Sequence, residues 1–250
     1  MRWQMPSAAI PSRSRPTPEV AVYDLDRTLT DSGSWAPFLR VWLLQVAPWR
    51  LLLLPVVLIG GLAYAAGWMS RGAIKSWSHR WLIGARVPAA QLAAVAELFA
   101  NRFVADHALA PARVAIAADA LAGHRVVIAS ASHAYYVRAI AARMGVVDVV
   151  ATEARRVGDV VLPQLDGANC YGAAKRDALT AWLAAEGLSG AVVHFTSDHH
   201  SDLPCFEMAL ASGGRVLCAN PSGALVKTAV ARGWPMVVWG RIRGSVLERA

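Results

Sequence analysis

Acidic charge is scarce in this chain: 17 Asp and Glu stand against 25 Lys and Arg, a formal net charge of +8 over 250 residues. The imbalance points toward anionic partners (phosphate esters, an acidic membrane surface or nucleic acid) without choosing among them. Cysteine is scarcer still. Cys170, Cys205 and Cys218 make neither a disulfide framework nor a pair at zinc-ligand spacing, so they read as reduced core thiols of a cytosolic protein. No serine triad or Gly-rich nucleotide loop is evident. No helix-turn-helix, zinc or RNA-recognition signature is present either, which argues against a nucleic-acid partner. Residues 1–19 carry Arg2, Arg13, Arg15 and four prolines but no sustained apolar run. They read as a flexible basic leader and not as a secretory signal.

What is abundant is apolar surface. At 56% hydrophobic and only 17% charged, the chain can bury one large core, or a core with a smaller insert. Helical spacing of Leu92, Val95, Ala96, Phe99 and Phe103 predicts one amphipathic helix. From about residue 111 the pattern alternates: a helix ending near Gly123, the strand "RVVIAS" (125–130), a helix stopped by Gly145, and the strand "VVDVVAT". A β-excursion around Gly158, a helix at 173–186 and the strands "AVVHFTS", "RVLCAN" and "MVVW" follow. Buried strands alternating with amphipathic helices imply an α/β fold, a three-layer Rossmann-like core with a mostly parallel sheet.

Such sheets bind ligands at the carboxyl ends of their strands. The stretch "AVYDLDRTLT" (21–30) becomes intelligible on that basis, because Asp24 and Asp26 leave the core at the rim where ligands sit. Ser130 and Asp198 end two further strands, and right-handed crossovers bring such ends to one edge. Two carboxylates from one strand end and a third from another make a hard oxygen site suited to Mg²⁺. A carboxylate there can attack phosphorus, with Asp26 as acid and then base. Lys175, near a helix start, could neutralise phosphoryl oxygens, and Ser130 could hydrogen-bond them.

In order and spacing, "DLDRTLT", "VVIASAS", "GANCYGAAK" and "TSDHHSDLP" resemble the four motifs of the haloacid dehalogenase superfamily of phosphatases. The likeness is greatest to its phosphoserine-phosphatase-like subfamily IB and covers residues 20–239. It implies Asp24 as nucleophile, Asp26 as acid/base, Thr28 and Ser130 as phosphate contacts, and Lys175 as charge balance. It also implies Mg²⁺ held by Asp24, Asp198 and the main-chain carbonyl of Asp26, with Asp202 in support. Two departures stand out. Ser197 precedes Asp198 where the family has Gly, and the bulky pair His199-His200 sits where small or polar residues are commoner. The pair is open to three readings: loop surface, substrate contact or metal ligation.

The subfamily inserts a helical C1-type cap between the first strand and the second motif. The resulting division is a leader at 1–19, a core at 20–34 and 109–240, a cap at 35–108 and a tail at 241–250. The cap contains "LLLLPVVLIGGLAYAAGWMS" (51–70), long enough for a transmembrane span. A single crossing would put Asp24 and Lys175 on opposite faces, so the segment must return as a hairpin, lie in the interface, or be buried cap. Trp42, Trp49, Trp68, Trp77 and Trp81 punctuate it like interfacial anchors, and Arg40, Arg50, Arg71, Lys75, Arg80 and Arg86 lie close by. In composition this cap resembles those of lipid-phosphate phosphatases of the phosphatidylglycerophosphatase C type. No glutamate follows the first motif, which disfavours phosphoserine. The expected activity is a Mg²⁺-dependent phosphomonoesterase acting on an amphiphilic or lipid phosphate. The expected location is cytoplasmic, peripheral or hairpin-anchored at the inner membrane face. The alternatives are a phosphatase for a small soluble ester with the cap as packed core, phosphoryl transfer or dehalogenation on the same scaffold, and a non-enzymatic basic membrane-binding protein.

Overall fold

The computed structural model describes residues 17–240. The tail at 241–250 and all but the last three residues of the proposed leader lie outside them; Glu19 already belongs to the first strand. In chain order the strands are β1 (Glu19–Asp24), β2 (Val87–Pro88), β3 (Arg125–His133), β4 (Asp148–Thr152), β5 (Ala154–Val157), β6 (Val160–Leu165), β7 (Val192–Ser197), β8 (Val216–Ala219) and β9 (Met236–Val237). The α-helices are α1 (Trp35–Gln45), α2 (Leu54–Ala65), α3 (Arg71–Ser78), α4 (Ala89–His107), α5 (Ala110–Leu121), α6 (Ala134–Arg143), α7 (Ala173–Ala185), α8 (Leu203–Ala211) and α9 (Gly223–Arg232).

Six strands form one sheet in the order β4-β3-β1-β7-β8-β9, and every pairing in it is parallel. Alternate residues of β1 serve opposite faces. Ala21 and Tyr23 join a core with α1 and α4–α6, while Val20 and Val22 join one with α7–α9. Helices on both faces bury β1 from Val20 onward, which is why residues 20–23 read as a continuous apolar run. From β1 the chain builds outward through β3 and β4, then returns to the other side of β1 with β7. The ends of β1, β3 and β7 therefore flank the topological switch point. The excursion expected around Gly158 is the β5–β6 hairpin, its turn made by that glycine at φ +61°. β2 adds to it, forming a second sheet of order β2-β6-β5.

One strand is longer than its sequence suggests. β3 was expected to end at Ser130 but continues to His133, through a register irregularity against β4. This matters at the site because it brings Ser132 to the rim.

Helices α1–α4 interrupt the core between β1 and α5. The connections into and out of them run side by side, with Leu109 N–H donating to the Leu29 carbonyl and Asp31 N–H to that of His107, both at 3.0 Å. Trp42 and Phe38 are buried in this layer. The greasy segment is not. Pro48–Ala65, a 3₁₀ stretch followed by α2, is long and apolar enough to cross a membrane, yet only 6% of it is buried. Leu52 is 82% exposed, Leu62 72% and Trp68 84%. Gly60 faces α3, where the Trp77 indole donates to the Val56 carbonyl at 3.0 Å, so the chain turns back on itself here.

Candidate active site

β1 delivers Asp24 at its last residue, and the following turn, Leu25–Leu29, passes through Arg27 at φ +66°. That left-handed residue lets the chain double back and sets Thr28 beneath the carboxylates. Helix α7, entered through Gly172, projects Lys175 from its first turn into the same place. Lys175 is buried, and its ammonium donates to Asp24 Oδ1 at 2.7 Å and to Asp202 Oδ2 at 2.8 Å. Asp198 follows β7, and its N–H donates to Thr28 Oγ1 at 2.9 Å. Five residues from three separate stretches of sequence thus meet at the ends of the central strands.

The electrostatics of this cluster are lopsided. Asp24, Asp198 and Asp202 are all buried, and Lys175 is the one cation in contact with them among the described residues. Burial pushes the Asp24 carboxyl up to about 7. Lys175 opposes that rise, while Asp202 and Asp198 reinforce it. Burial likewise lifts Asp198 to about 6, partly relieved by Thr28. At Lys175 burial alone would lower the value, but Asp24 and Asp202 outweigh it and hold the ammonium well above the ordinary lysine range. The two ends of the ion pair differ because the lysine has two acids and each acid has only part of a lysine. Asp202 Oδ1, meanwhile, is buried without a partner among the described residues. Excess buried carboxylate with unused oxygen lone pairs fits a hard divalent cation, which prefers oxygen ligands.

A cavity of about 280 Å³ opens over the cluster, and Asp24, Asp26, Ser130, Lys175, Asp198 and Asp202 all line it. Ser130 Oγ accepts the Ser132 N–H at 3.1 Å, which leaves its own proton available for an acceptor in the cavity. Asp26 is held through both oxygens, by the Ser34 N–H at 2.9 Å and the Ser132 hydroxyl at 2.7 Å. Ser34 Oγ in turn lies within hydrogen-bond distance of Ser132 Oγ and the Tyr136 hydroxyl.

Thr28 requires a correction. Expected as a phosphate contact, it is fully buried and does not line the cavity. Its hydroxyl lies 3.2 Å from Asp24 Oδ2 and 3.3 Å from Asp198 Oδ1, besides accepting the Asp198 N–H. With those contacts made it is a positioning residue that ties the two acids together. The unusual Ser197 also finds its reason. Its hydroxyl donates to Asp202 Oδ2 at 2.7 Å, a bond glycine could not make. His199 lies on the cavity wall with Nδ1 against the Ser201 hydroxyl at 2.8 Å, whereas His200 is exposed and outside it.

Sequence reasoning missed Ser34, Tyr136 and the bond from Ser132 to Asp26. It also missed Arg71 and Tyr171, which line the cavity with the guanidinium 4.2 Å from the ring centroid. Ser70, which caps α3 by accepting the Ala73 N–H, was the available signal that Arg71 starts a helix; nothing in the sequence said that the helix returns to the site.

The model of the haloacid dehalogenase-like hydrolase family matches residues 21–207. The chain belongs to that family. This hydrolase is similar, at 33% identity over 131 residues, to a probable phosphatase of Mycobacterium tuberculosis; the match covers 50% of this chain and 42% of the relative. The chain thus spans less than half the length of the curated relatives it matches. Among solved structures it is similar to a Bordetella pertussis protein of unknown function, with TM-score 0.76 and 24% identity over 90% of this chain and all of that one. It also shares its fold with a phospho-aspartyl intermediate analogue of phosphoserine phosphatase, at TM-score 0.58 and 15% identity over 90% and 95% of the two chains.

Proposed function

We propose that this hydrolase is a Mg²⁺-dependent phosphomonoesterase that works through a phosphoryl group on Asp24. We further propose that its substrate is an amphiphilic phosphate presented at an anionic membrane surface on the cytoplasmic side. The observation that carries the first part is the buried Lys175, bridging Asp24 and Asp202 beneath a cavity that Ser130 and Asp198 also line. An ammonium fixed on the carboxylate neutralises charge where a phosphoryl oxygen would arrive.

Asp24, Asp198 and the main-chain carbonyl of Asp26 would hold the cation, which when bound supplies Lewis-acid charge stabilisation and a template for the phosphate. In the first step a carboxylate oxygen of Asp24 bonds to phosphorus as the ester P–O bond breaks, and Asp26 gives its proton to the departing alkoxide. Water then attacks the phosphoaspartate, Asp26 takes the water's proton, and Asp24 is released with inorganic phosphate. Ser132 and the Ser34 amide keep Asp26 aimed through both half-reactions. Ser130 donates to a phosphoryl oxygen, and Thr28 fixes the spacing of Asp24 and Asp198.

Support for the surface part comes from what the inserted helices leave outside. A packed cap core accounts for Trp42 and Phe38 but not for Leu52, Leu58, Ile59 and Leu62, each more than 60% exposed. Exposed Arg40, Arg71, Arg80 and Arg86 lie on the same inserted segment, and each basic residue near an anionic leaflet adds about 1 kcal/mol. Because the site is assembled from chain on both sides of Pro48–Ala65, an interfacial seat suits this segment better than a single crossing.

The test is hydrolysis of p-nitrophenyl phosphate with Mg²⁺, with chelator, and by Asp24→Asn. Turnover should need the cation and fall at least 10³-fold in the variant; full activity in Asp24→Asn removes the nucleophile. For the surface, co-sedimentation with phosphatidylglycerol vesicles is compared between wild type and Leu58→Glu/Leu62→Glu. Equal turnover of soluble and lipid esters, with no vesicle binding, would rule that part out.

A further inference from the structure

Among the described residues, two that are not glycine take the left-handed backbone conformation: Arg27 at φ +66° and Asn220 at φ +51°. They stand 193 positions apart in sequence and are bonded to each other. The Asn220 side-chain amide donates to the Arg27 carbonyl at 3.0 Å and to that of Thr28 at 3.3 Å. Asparagine enters this conformation readily because its short polar side chain bonds to nearby backbone, whereas a long side chain such as that of arginine seldom does. Arg27 is exposed, so packing of its side chain does little to keep it there. What holds it is the bond to its carbonyl.

Asn220 is itself tightly placed, just after β8. Its N–H donates to the Val237 carbonyl at 2.8 Å, and its Oδ1 accepts the Trp239 N–H at 2.6 Å. With an N–H facing the oxygen and two carbonyls facing the nitrogen, one orientation of the carboxamide satisfies every contact. Trp239 is buried in the core, so the grip from the β9 side is firm. Two residues further on, the Ser222 N–H donates to the Asp198 carbonyl at 2.8 Å. The connection from β8 to α9 thus touches both acid-bearing loops, yet Asn220 does not line the cavity. Whatever it does for the site is done through other residues.

Thr28 is the link. Its hydroxyl accepts the Asp198 N–H and lies within 3.3 Å of both Asp24 Oδ2 and Asp198 Oδ1. Where that hydroxyl sits depends on the peptide joining Arg27 to Thr28, whose oxygen is the one Asn220 holds. Released, Arg27 would relax toward an ordinary φ and draw Thr28 out from beneath the acids. We propose that Asn220 is a positioning residue of this site: by holding the left-handed turn at Arg27 it places Thr28, and through Thr28 it sets the spacing of Asp24 and Asp198. The inference rests on the phosphatase reading and adds to it a residue found neither in the four motifs nor on the cavity wall.

The experiment uses the full chain and two variants. Asn220→Gly keeps the left-handed backbone and removes the donor. Asn220→Asp keeps an acceptor for the Trp239 N–H but sets a carboxylate against two carbonyls. Ser212→Ala is the comparison for stability alone, because the Ser212 hydroxyl accepts the Val193 N–H at the far end of β7. Mg²⁺ affinity is measured by calorimetry without substrate, and kcat and KM on p-nitrophenyl phosphate at saturating Mg²⁺. Both Asn220 variants should bind Mg²⁺ about fivefold or more weakly and lose about 10- to 100-fold in kcat, with a smaller change in KM. The aspartate should lose more than the glycine, where water can replace the donor. Ser212→Ala should lower Tm without either change. Asn220 variants that melt early yet keep wild-type Mg²⁺ affinity and kcat overturn the proposal. So does a loss of kcat at unchanged Mg²⁺ affinity, because the acids would then still be in place. Failure of both variants to fold at room temperature overturns it too, making Asn220 a determinant of the fold. Wild type that binds Mg²⁺ but does not hydrolyse the ester brings down the phosphatase reading alone, and the calorimetry still decides the positioning. Wild type that binds no Mg²⁺ brings down both.

Discussion

Replacing Lys175 with Met tests the electrostatic account of the site. Methionine keeps much of the length and apolar stem of lysine, so the change removes charge while leaving little cavity. Lys175 is 2% exposed and contacts Asp24 and Asp202 at 2.7 and 2.8 Å. Without it three acids share one buried pocket with no cation in contact. Even with the lysine present, burial holds Asp24 at about 7 and Asp198 at about 6, against an ordinary 3.8. At neutral pH and above, keeping these groups ionised therefore costs the fold on the order of 3 to 4 kcal/mol each in the absence of a metal. Removing one partner of a buried pair costs a further 3–5 kcal/mol or so. For a chain of this size that lowers Tm by roughly 6–20 °C.

The sign of the pH dependence sharpens the test. A carboxyl whose folded value is raised stabilises the fold when protonated and ceases to do so as pH rises through that value. Both proteins should therefore lose site stability between pH 4 and pH 7, and the Lys175→Met variant, whose acids hold protons more tightly, should lose it over a range extending higher. Thermal melts in chelator at pH 7.5 and 5.5 read this directly. The gap between wild type and variant should be wide at pH 7.5 and narrower at pH 5.5, where protonation does part of the work of the lysine. A gap that is absent at pH 7.5, or the same at both values, refutes the reasoning.

Gly60 and Gly61 give a paired prediction in α2. A Cβ at Gly60 would come within 2.4 Å of the Trp77 ring, while one at Gly61 meets nothing within 4 Å. Gly60→Ala should thus cost about 1–3 kcal/mol of overpacking, less the helix-propensity gain. Gly61→Ala should gain up to about 1 kcal/mol, and urea midpoints moving the same way for both would be the wrong result. His79 predicts a pH effect of opposite sense to the acids. Burial lowers its value to about 4, and neither ring nitrogen has a partner among the described residues. The unfolded chain binds this proton first, so the stability tied to His79 falls as pH drops, by about 2 kcal/mol between pH 7.5 and 5. His79→Phe should lessen that loss relative to wild type, and a difference independent of pH would exclude it.

Much of the site could be read in advance because strand period and strand ends are local properties. Val20–Tyr23 had to be a buried strand, and a buried strand that stops in Asp24 and Asp26 puts them at the rim. Asp198 followed from the same logic at the end of β7, whereas Lys175 was read from the start of a helix. What could not be read depends on which side chain meets which across long separations. Thr28 lies two residues from Asp26, yet its role is decided by an N–H donated 170 residues later at Asp198. Ser197 looked like a departure from pattern until Asp202 was seen to accept its hydroxyl. Extension of β3 past Ser130 went unseen because its last residues pair through an irregular register, which has no signature in hydrophobic period.

Charge is layered in the assembled site, and the layering is why core and inserted helices must be considered together. The acids Asp24, Asp198 and Asp202 all come from the core. Of the cations lining the site's cavity and the smaller one beside it, Lys175 and Arg27 are core residues, whereas Arg71 and Lys75 belong to α3 of the insertion. A core standing alone would present excess buried acid and repel a phosphate dianion. Opposed by α3, the same acids face positive charge across a space bounded by low-dielectric walls, where each interaction is stronger than in water. The inserted helices therefore set positive charge opposite the acids, besides presenting the exposed apolar face of α2. A change that weakens the seating of α3, such as Gly60→Ala, should accordingly raise KM for any phosphate ester even though residue 60 touches neither cavity.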